Sequence, residues 1–151
     1  MDFLFRGYVA ADRAQCLSLF DANCPDFFAA NEREDYCAFL ASLPDNYRVI
    51  AAGAAILGAF GLDVTGSNAR LTWIMIDRTC HGRGIGSAIM TEIIARAMKL
   101  GCVAIDIAAS HLSAPFFTRF GAKPVRFTKD GWGAGMHRVD MLLPIEAGLS
   151  P

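Results

Sequence analysis

The sequence has almost no excess of charge: 14 basic against 15 acidic residues leave a formal net charge of −1. Without a global field there is no general means of gripping nucleic acid or an anionic membrane, so any anion-binding site must be local. Cysteine lacks any paired or clustered spacing. Cys16, Cys24, Cys37, Cys80 and Cys102 are odd in number and form neither a Cys-x-x-Cys pair nor a Cys/His cluster. That argues against a disulfide framework and against a metal site, and it fits a reducing, cytoplasmic setting. The opening residues Met1-Asp2-Phe3-Leu4-Phe5-Arg6 lack the basic start and apolar core of a secretory signal. No apolar run reaches the ~20 residues of a membrane span. The longest, Val49 to Leu62, is broken by Gly53, Gly58 and Gly61 and reads as a β-hairpin. No internal repeat, low-complexity tract or linker divides the chain.

What is present is a large apolar complement, 54% of 151 residues, enough for one domain over residues 1–151 with its own core. Periodicity predicts alternating elements. Leu4 to Val9 reads as a strand, followed by helical spacing at Ala14, Leu17, Leu19 and Phe20 that Pro25 ends. Asn31 is placed to cap a second helix through Tyr36, Phe39 and Leu40, with Glu32 and Glu34 in its first turn. Tyr47 to Ala52 pairs with Ala54 to Val64, and Ala69 to Ile76 is a third strand of the series. From Ile85, the positions Ala88, Ile89, Ile93, Ala97 and Leu100 form one helical stripe, with Glu92 and Arg96 spaced as an outer pair and Gly101 as the stop. Val103 to Ala108, Leu112 to Phe120, Val125 to Lys129 and Met136 to Leu143 complete the series as strand, helix and two strands.

The strongest motif lies between the Ala69–Ile76 strand and the Ile85 helix, where His81-Gly82-Arg83-Gly84-Ile85-Gly86-Ser87-Ala88 carries three alternate glycines. Glycine lets the backbone turn sharply and approach a ligand, and a helix start offers unpaired N–H groups and the positive end of its dipole. This is a diphosphate cradle. A dinucleotide fingerprint fails on register, because Ser87 and Ile89 stand where a third glycine is needed. A nucleotide P-loop fails because Gly86-Ser87-Ala88 has no lysine.

The motif resembles the Gln/Arg-x-x-Gly-x-Gly/Ala signature of the GNAT superfamily of N-acetyltransferases, with Leu71-Thr72-Trp73-Ile74-Met75-Ile76-Asp77 in the place of that family's fourth strand. Ser110 to Ala122 is similar to the helix written Asn-x-x-Ala-x-x-x-Tyr-x-x-x-Gly-Phe. The resemblance implies an α+β fold: one domain with a mixed, mostly antiparallel sheet of about seven strands, flanked by about four helices and splayed between strands four and five. It implies acetyl-coenzyme A as acyl-donor cosubstrate, no metal, and transfer to a primary amine of a small molecule or protein by direct attack in a ternary complex. By position, His81, Gly82, Arg83, Gly84, Ile85, Gly86, Ser87 and Ala88 would hold the diphosphate, and Ile74, Met75 and Ile76 the pantetheine arm as an added strand. The thioester would lie beside Trp73 and Ile74. His81 and Arg83 either contact phosphate or serve the turn and the solvent face.

The sequence also departs from that family. Leu71 to Ile76 contains no carboxylate to draw off the amine proton, and no other base is evident. Phe117 stands where the family's tyrosine protonates the departing thiolate; with no proton to give, it is either a core residue or one that also flanks the thioester. Ser110, at the asparagine position, is either a hydrogen-bonding catalytic substitute or a helix cap. Asp106, inside an apolar strand, is either a satisfied structural carboxylate or a base. His111 and His137 show no acidic partner. Acceptor contacts fall to Phe27, Phe28 and Trp73, with Asp26, Asn31, Glu32, Tyr36 and Trp132 nearby in the variable elements; the other reading makes Phe27 and Phe28 core and the acids a solvated helix face. These departures keep a second reading open, a catalytically weak acyl-coenzyme A sensor. Relatives often form homodimers; the sequence does not specify one.

Overall fold

The computed structural model describes residues 2–80 and 84–145. The chain runs β1 (Leu4–Gly7), α1 (Arg13–Ala22), α2 (Arg33–Ala41), β2 (Tyr47–Ala52), β3 (Ala55–Thr65), β4 (Asn68–Ile76), α3 (Ile85–Lys99), β5 (Ala104–Ser110), α4 (Ala114–Thr118), β6 (Lys123–Gly133) and β7 (Met136–Pro144). The seven strands form a sheet in the order β1-β2-β3-β4-β5-β7-β6. β1 with β2, β2 with β3, β5 with β7 and β6 with β7 pair antiparallel, whereas β4 and β5 are parallel. The parallel ladder joins Asn68–Leu71 to Ala104–Ile107 and ends there. Thr72–Ile76 of β4 and Ala108–Ser110 of β5 lie beyond the paired residues. Among the described residues no helix is long and apolar enough to cross a membrane.

The chain divides into two compact units, Met1–Gly61 with Trp73–Gly86 and Leu62–Thr72 with Ser87–Pro151. In the first, Cys16, Leu19, Phe20, Tyr36, Leu40, Tyr47, Val49, Ala51, Ile56, Ala59 and Met75 form one buried cluster. Both of its helices open through a short 3-10 turn whose last residue is an acid reaching back three positions. The Val9 N–H donates to the Asp12 carboxylate at 3.0 Å, and the Ala29 N–H donates to Glu32 at 2.8 Å. Glu32, not Asn31, thus answers the exposed end of the second helix, correcting the sequence expectation. The carboxylate reaches back along the chain while Asn31 lies within the turn.

In the second unit α3 buries Ile89, Met90, Ile93 and Ala97, while Leu100 is 51% exposed and lies outside the stripe. Gly101 closes the helix as expected: at φ +79° its N–H donates to Met98 and that of Cys102 to Ala97, both at 3.0 Å. This double bond pattern is the Schellman stop, and it needs a left-handed residue that glycine supplies without strain. Glu92 and Arg96 are not joined by an ion pair in the structure. The α4 helix is shorter than Leu112 to Phe120 because β5 runs on to Ser110 and the helix begins only at Ala114. The β6 strand is longer than expected. It is an edge strand, exposed over most of its length, with Val125 66% and Phe127 61% accessible and register breaks at Pro124/Arg126 and Thr128/Gly133.

The two helix-opening acids obey opposite electrostatics. Arg6 grips Asp12 with two hydrogen bonds, at 2.8 and 2.9 Å, and this holds the carboxyl below its ordinary range. Glu32 has no such cation, and burial pushes its carboxyl up. A depressed folded-state pKa contributes stability above the unfolded value and loses it as pH falls below about 4, whereas a raised one contributes at low pH and loses it as pH rises. Asp12→Asn should therefore destabilise by about 2–3 kcal/mol at pH 7. Glu32→Gln should be neutral or stabilising there. Urea unfolding of both variants at pH 7 and pH 3.5 checks this, and the Asp12→Asn deficit should shrink at the lower pH.

Candidate functional site

The β4 strand delivers the chain to the glycine loop through a short, well-bonded exit. The Asp77 N–H donates to the Leu57 carbonyl at 2.8 Å, and its carboxylate accepts the Thr79 N–H at 2.9 Å and the Thr79 hydroxyl at 2.7 Å. A 3-10 turn over Arg78–Cys80 follows. His81, Gly82 and Arg83 lie outside the described residues. Gly84 then takes φ +82°, and a Cβ built on it would meet no heavy atom of the described residues within 4 Å. It is left-handed, faces open space, and directly precedes the first residue of α3, Ile85. An α-helix leaves the first four of its N–H groups without intrahelical partners. A side chain at Gly84 would project into that open space, so the residues present fit a close backbone approach by an anionic group.

The terminal half of β4 is fastened from below. Asn23, 2% exposed, donates from Nδ2 to Leu19 O at 2.8 Å and to Ile76 O at 3.1 Å, tying the strand end to the end of α1. Met75 is buried, and Ile74 and Ile76 are half-buried. Sequence reasoning missed Asn23: an asparagine just past a helix reads as an ordinary stop, and its bond to Ile76 spans 53 positions.

Trp73 is the strained residue of the strand, with φ +45°. For a bulky L-residue the left-handed region costs roughly 1–2 kcal/mol. Its half-buried indole packs among rings, 5.0 Å from Tyr36, 6.1 Å from Phe39 and 6.2 Å from Phe28, the last nearly parallel at 25°. The structure thus brings together Phe28 and Trp73 of the expected acceptor contacts. Phe27 sits instead under the Arg78 guanidinium at 5.5 Å, and Asp26 pairs with Arg78 at 2.6 Å. Tyr36 is 0% exposed, so its place is in the core and not on an acceptor surface.

In the second unit, Ser110 ends β5 and is 3% exposed. Its Oγ accepts the Ser113 N–H at 3.1 Å and lies 3.2 Å from Ser113 Oγ, while its own N–H donates to Ser113 Oγ at 3.0 Å. These bonds close a turn ahead of α4, whose N-cap is Ser113 without a side-chain cap bond, so Ser110 does not cap the helix. Phe117 is 3% exposed and meets Phe116 edge-on at 5.2 Å. Asp106 is exposed and accepts from Asn68 at 3.2 Å, in keeping with a structural carboxylate. Trp132 Nε1 donates to Ala109 O at 3.0 Å, under the Arg138 guanidinium at 4.9 Å.

The rings of His111 and His137, unremarkable in sequence, lie 4.7 Å apart, tilted at 45°. His137 Nδ1 accepts the Asp130 N–H at 3.0 Å, and His111 Nδ1 accepts the His137 N–H at 3.2 Å. Assigned from these bonds, both rings carry their proton on Nε2. His137 Nδ1 also lies 3.7 Å from an Asp130 carboxylate oxygen, an acidic neighbour that the sequence does not show. Ser110→Ala should lower stability by about 1 kcal/mol, or roughly 2–4 °C in melting temperature. Calorimetric melting measures this, and no shift would show that the Ser110–Ser113 pair contributes nothing.

A sequence model of the acetyltransferase (GNAT) family matches residues 7–122. No curated protein matches the sequence. Among solved structures, the ribosomal-protein-S18-alanine N-acetyltransferase of Escherichia coli is similar, with TM-score 0.78, 14% identity, and coverage of 95% of this chain and 94% of that one. Ard1 of Thermoplasma volcanium gives TM-score 0.81 at 11% identity, covering 96% and 99%. A phosphinothricin acetyltransferase of Sinorhizobium meliloti, solved in complex with AcCoA, gives TM-score 0.74 at 17% identity, covering 96% and 89%. At such identities the likeness concerns the fold.

Proposed function

Since the chain belongs to the acetyltransferase (GNAT) family, we propose that it transfers the acetyl group of acetyl-coenzyme A to a primary amine by direct attack in a ternary complex. The observation that carries this reading is the left-handed, open-faced Gly84 set between the end of β4 and the start of α3. In this reading the backbone from Gly82 to Ala88 holds the diphosphate, and Ile74 to Ile76 lie along the pantetheine arm. The loop's His81 and Arg83 belong to the same binding segment. The whole chain, residues 1–151, acts as one acetyltransferase domain in the cytoplasm.

The amine nitrogen attacks the thioester carbon, the C–S bond breaks, and coenzyme A leaves as a thiolate while the amine proton passes to solvent. Alignment of two bound reactants supplies roughly 7–11 kcal/mol of the barrier, so a site poor in acid–base groups can still turn over. A thiol of pKa about 8.5 is a tolerable leaving group, which suits a chain with Phe117 at the position of the family's proton donor. The partly exposed Phe28 and Trp73 rings favour an acceptor with an apolar body beside its amine. Acceptors bearing such a body are the first to test.

Titration with acetyl-coenzyme A by calorimetry, with ATP and NAD as controls, should show selective micromolar binding, and a thiol-release assay across amines should then find turnover. Binding without release from any amine would favour the sensor reading. Absence of binding would end both. Gly84→Val should weaken acetyl-coenzyme A binding more than tenfold while lowering stability by about 1–2 kcal/mol, the cost of the left-handed conformation. Unchanged affinity in that variant would remove the loop from the site. Phe117→Tyr should raise kcat where thiolate protonation limits the rate. Equal kcat for the variant would assign the limit to another step.

A further inference from the structure

Trp73 keeps its left-handed conformation through a chain of buried hydroxyls. The Tyr47 hydroxyl donates to the Trp73 carbonyl at 2.7 Å and lies 2.9 Å from the Tyr36 hydroxyl. Both tyrosines are 0% exposed. Since Tyr47 uses its only proton on the Trp73 carbonyl, the bond between the two hydroxyls must run from Tyr36 to Tyr47. Burial pushes both phenols above their ordinary range, so the donors stay protonated at every working pH. The direction of the chain is therefore fixed, from Tyr36 through Tyr47 to the backbone of β4.

The consequence lies on the far side of the same peptide group. A trans peptide points its C=O and N–H in opposite directions. With the Trp73 carbonyl anchored on Tyr47, in the buried cluster of the first unit, the Ile74 N–H of that peptide points away from it. Relaxation of Trp73 to ordinary strand angles would turn this peptide and re-aim the N–H. Residues in sparsely populated conformations persist only where their surroundings over-determine them. Here the surroundings are one hydroxyl pair and the rings of Tyr36, Phe39 and Phe28 against the indole.

We infer that Tyr47, backed by Tyr36, is a positioning residue for acyl transfer, whose hydroxyl holds the Trp73–Ile74 peptide so that the Ile74 N–H faces the thioester oxygen. The inference rests on the acetyltransferase reading above. Tyr47 touches no reactant and acts only through the peptide it holds. An aimed N–H stabilises developing oxyanion charge, and loss of one such donor lowers kcat by roughly 100-fold or more.

The test is Tyr47→Phe, which removes one oxygen and leaves the ring. In the variant, kcat should fall between about tenfold and 100-fold. Affinity for coenzyme A, which lacks the acyl oxygen, should stay within about twofold. The Trp73 three-bond amide–Hα coupling and the Ile74 amide shift, read by NMR, should report the turned peptide. Tyr36→Phe should give the same pattern more weakly, and it decides the matter if Tyr47→Phe does not fold. Folded variants with wild-type kcat, or with a lowered kcat but unaltered Trp73 and Ile74 signals, overturn this inference alone. Wild-type protein that binds acetyl-coenzyme A and releases no thiol with any amine overturns it together with the proposed activity. A fall in coenzyme A affinity that matches the fall in kcat would show general loosening of the strand and would also overturn it.

Discussion

A strand that parts from its parallel neighbour after four residue pairs must find other partners for its remaining polar backbone, and the end of β4 depends on that constraint. Within the first unit, two partners come from side chains and one from the backbone. Tyr47 takes the Trp73 carbonyl, Asn23 takes the Ile76 carbonyl, and the Leu57 carbonyl takes the Asp77 N–H. Each is buried or backbone-borne, so the strand end is held without relying on β5.

The elements governed by local periodicity were legible in the sequence. β2 falls on the expected residues, and α3 with its Gly101 stop is explained by spacing and by one glycine's conformational freedom. The family signature from Leu71 to Met90 lies within the matched segment. The periodicity puts Leu100 in the α3 stripe and omits Met90, whereas the helix stops at Lys99, Leu100 just past it is 51% exposed, and Met90 is buried.

The illegible part was set by contacts distant in sequence. Nothing around Trp73 signals a left-handed residue, because the hydroxyl that secures its carbonyl is 26 positions away. Asn31 looked like a cap since asparagine favours that role, but a glutamate one position on, reaching back to Ala29, won the competition. The sequence leaves Ser110 between a catalytic substitute and a cap and gives His111 and His137 no partner. Folding commits each of them to a backbone N–H.

The exposed β6 edge carries a further consequence. Sheet margins invite the addition of a strand from another molecule, and Val125 and Phe127 would make such an encounter adhesive. Lys123, Arg126 and Lys129 are interleaved with them, and the register of β6 breaks in two places. Two copies meeting margin to margin would bring like charges together along an irregular template. The strand is thereby protected against runaway self-association while its apolar side chains remain in water.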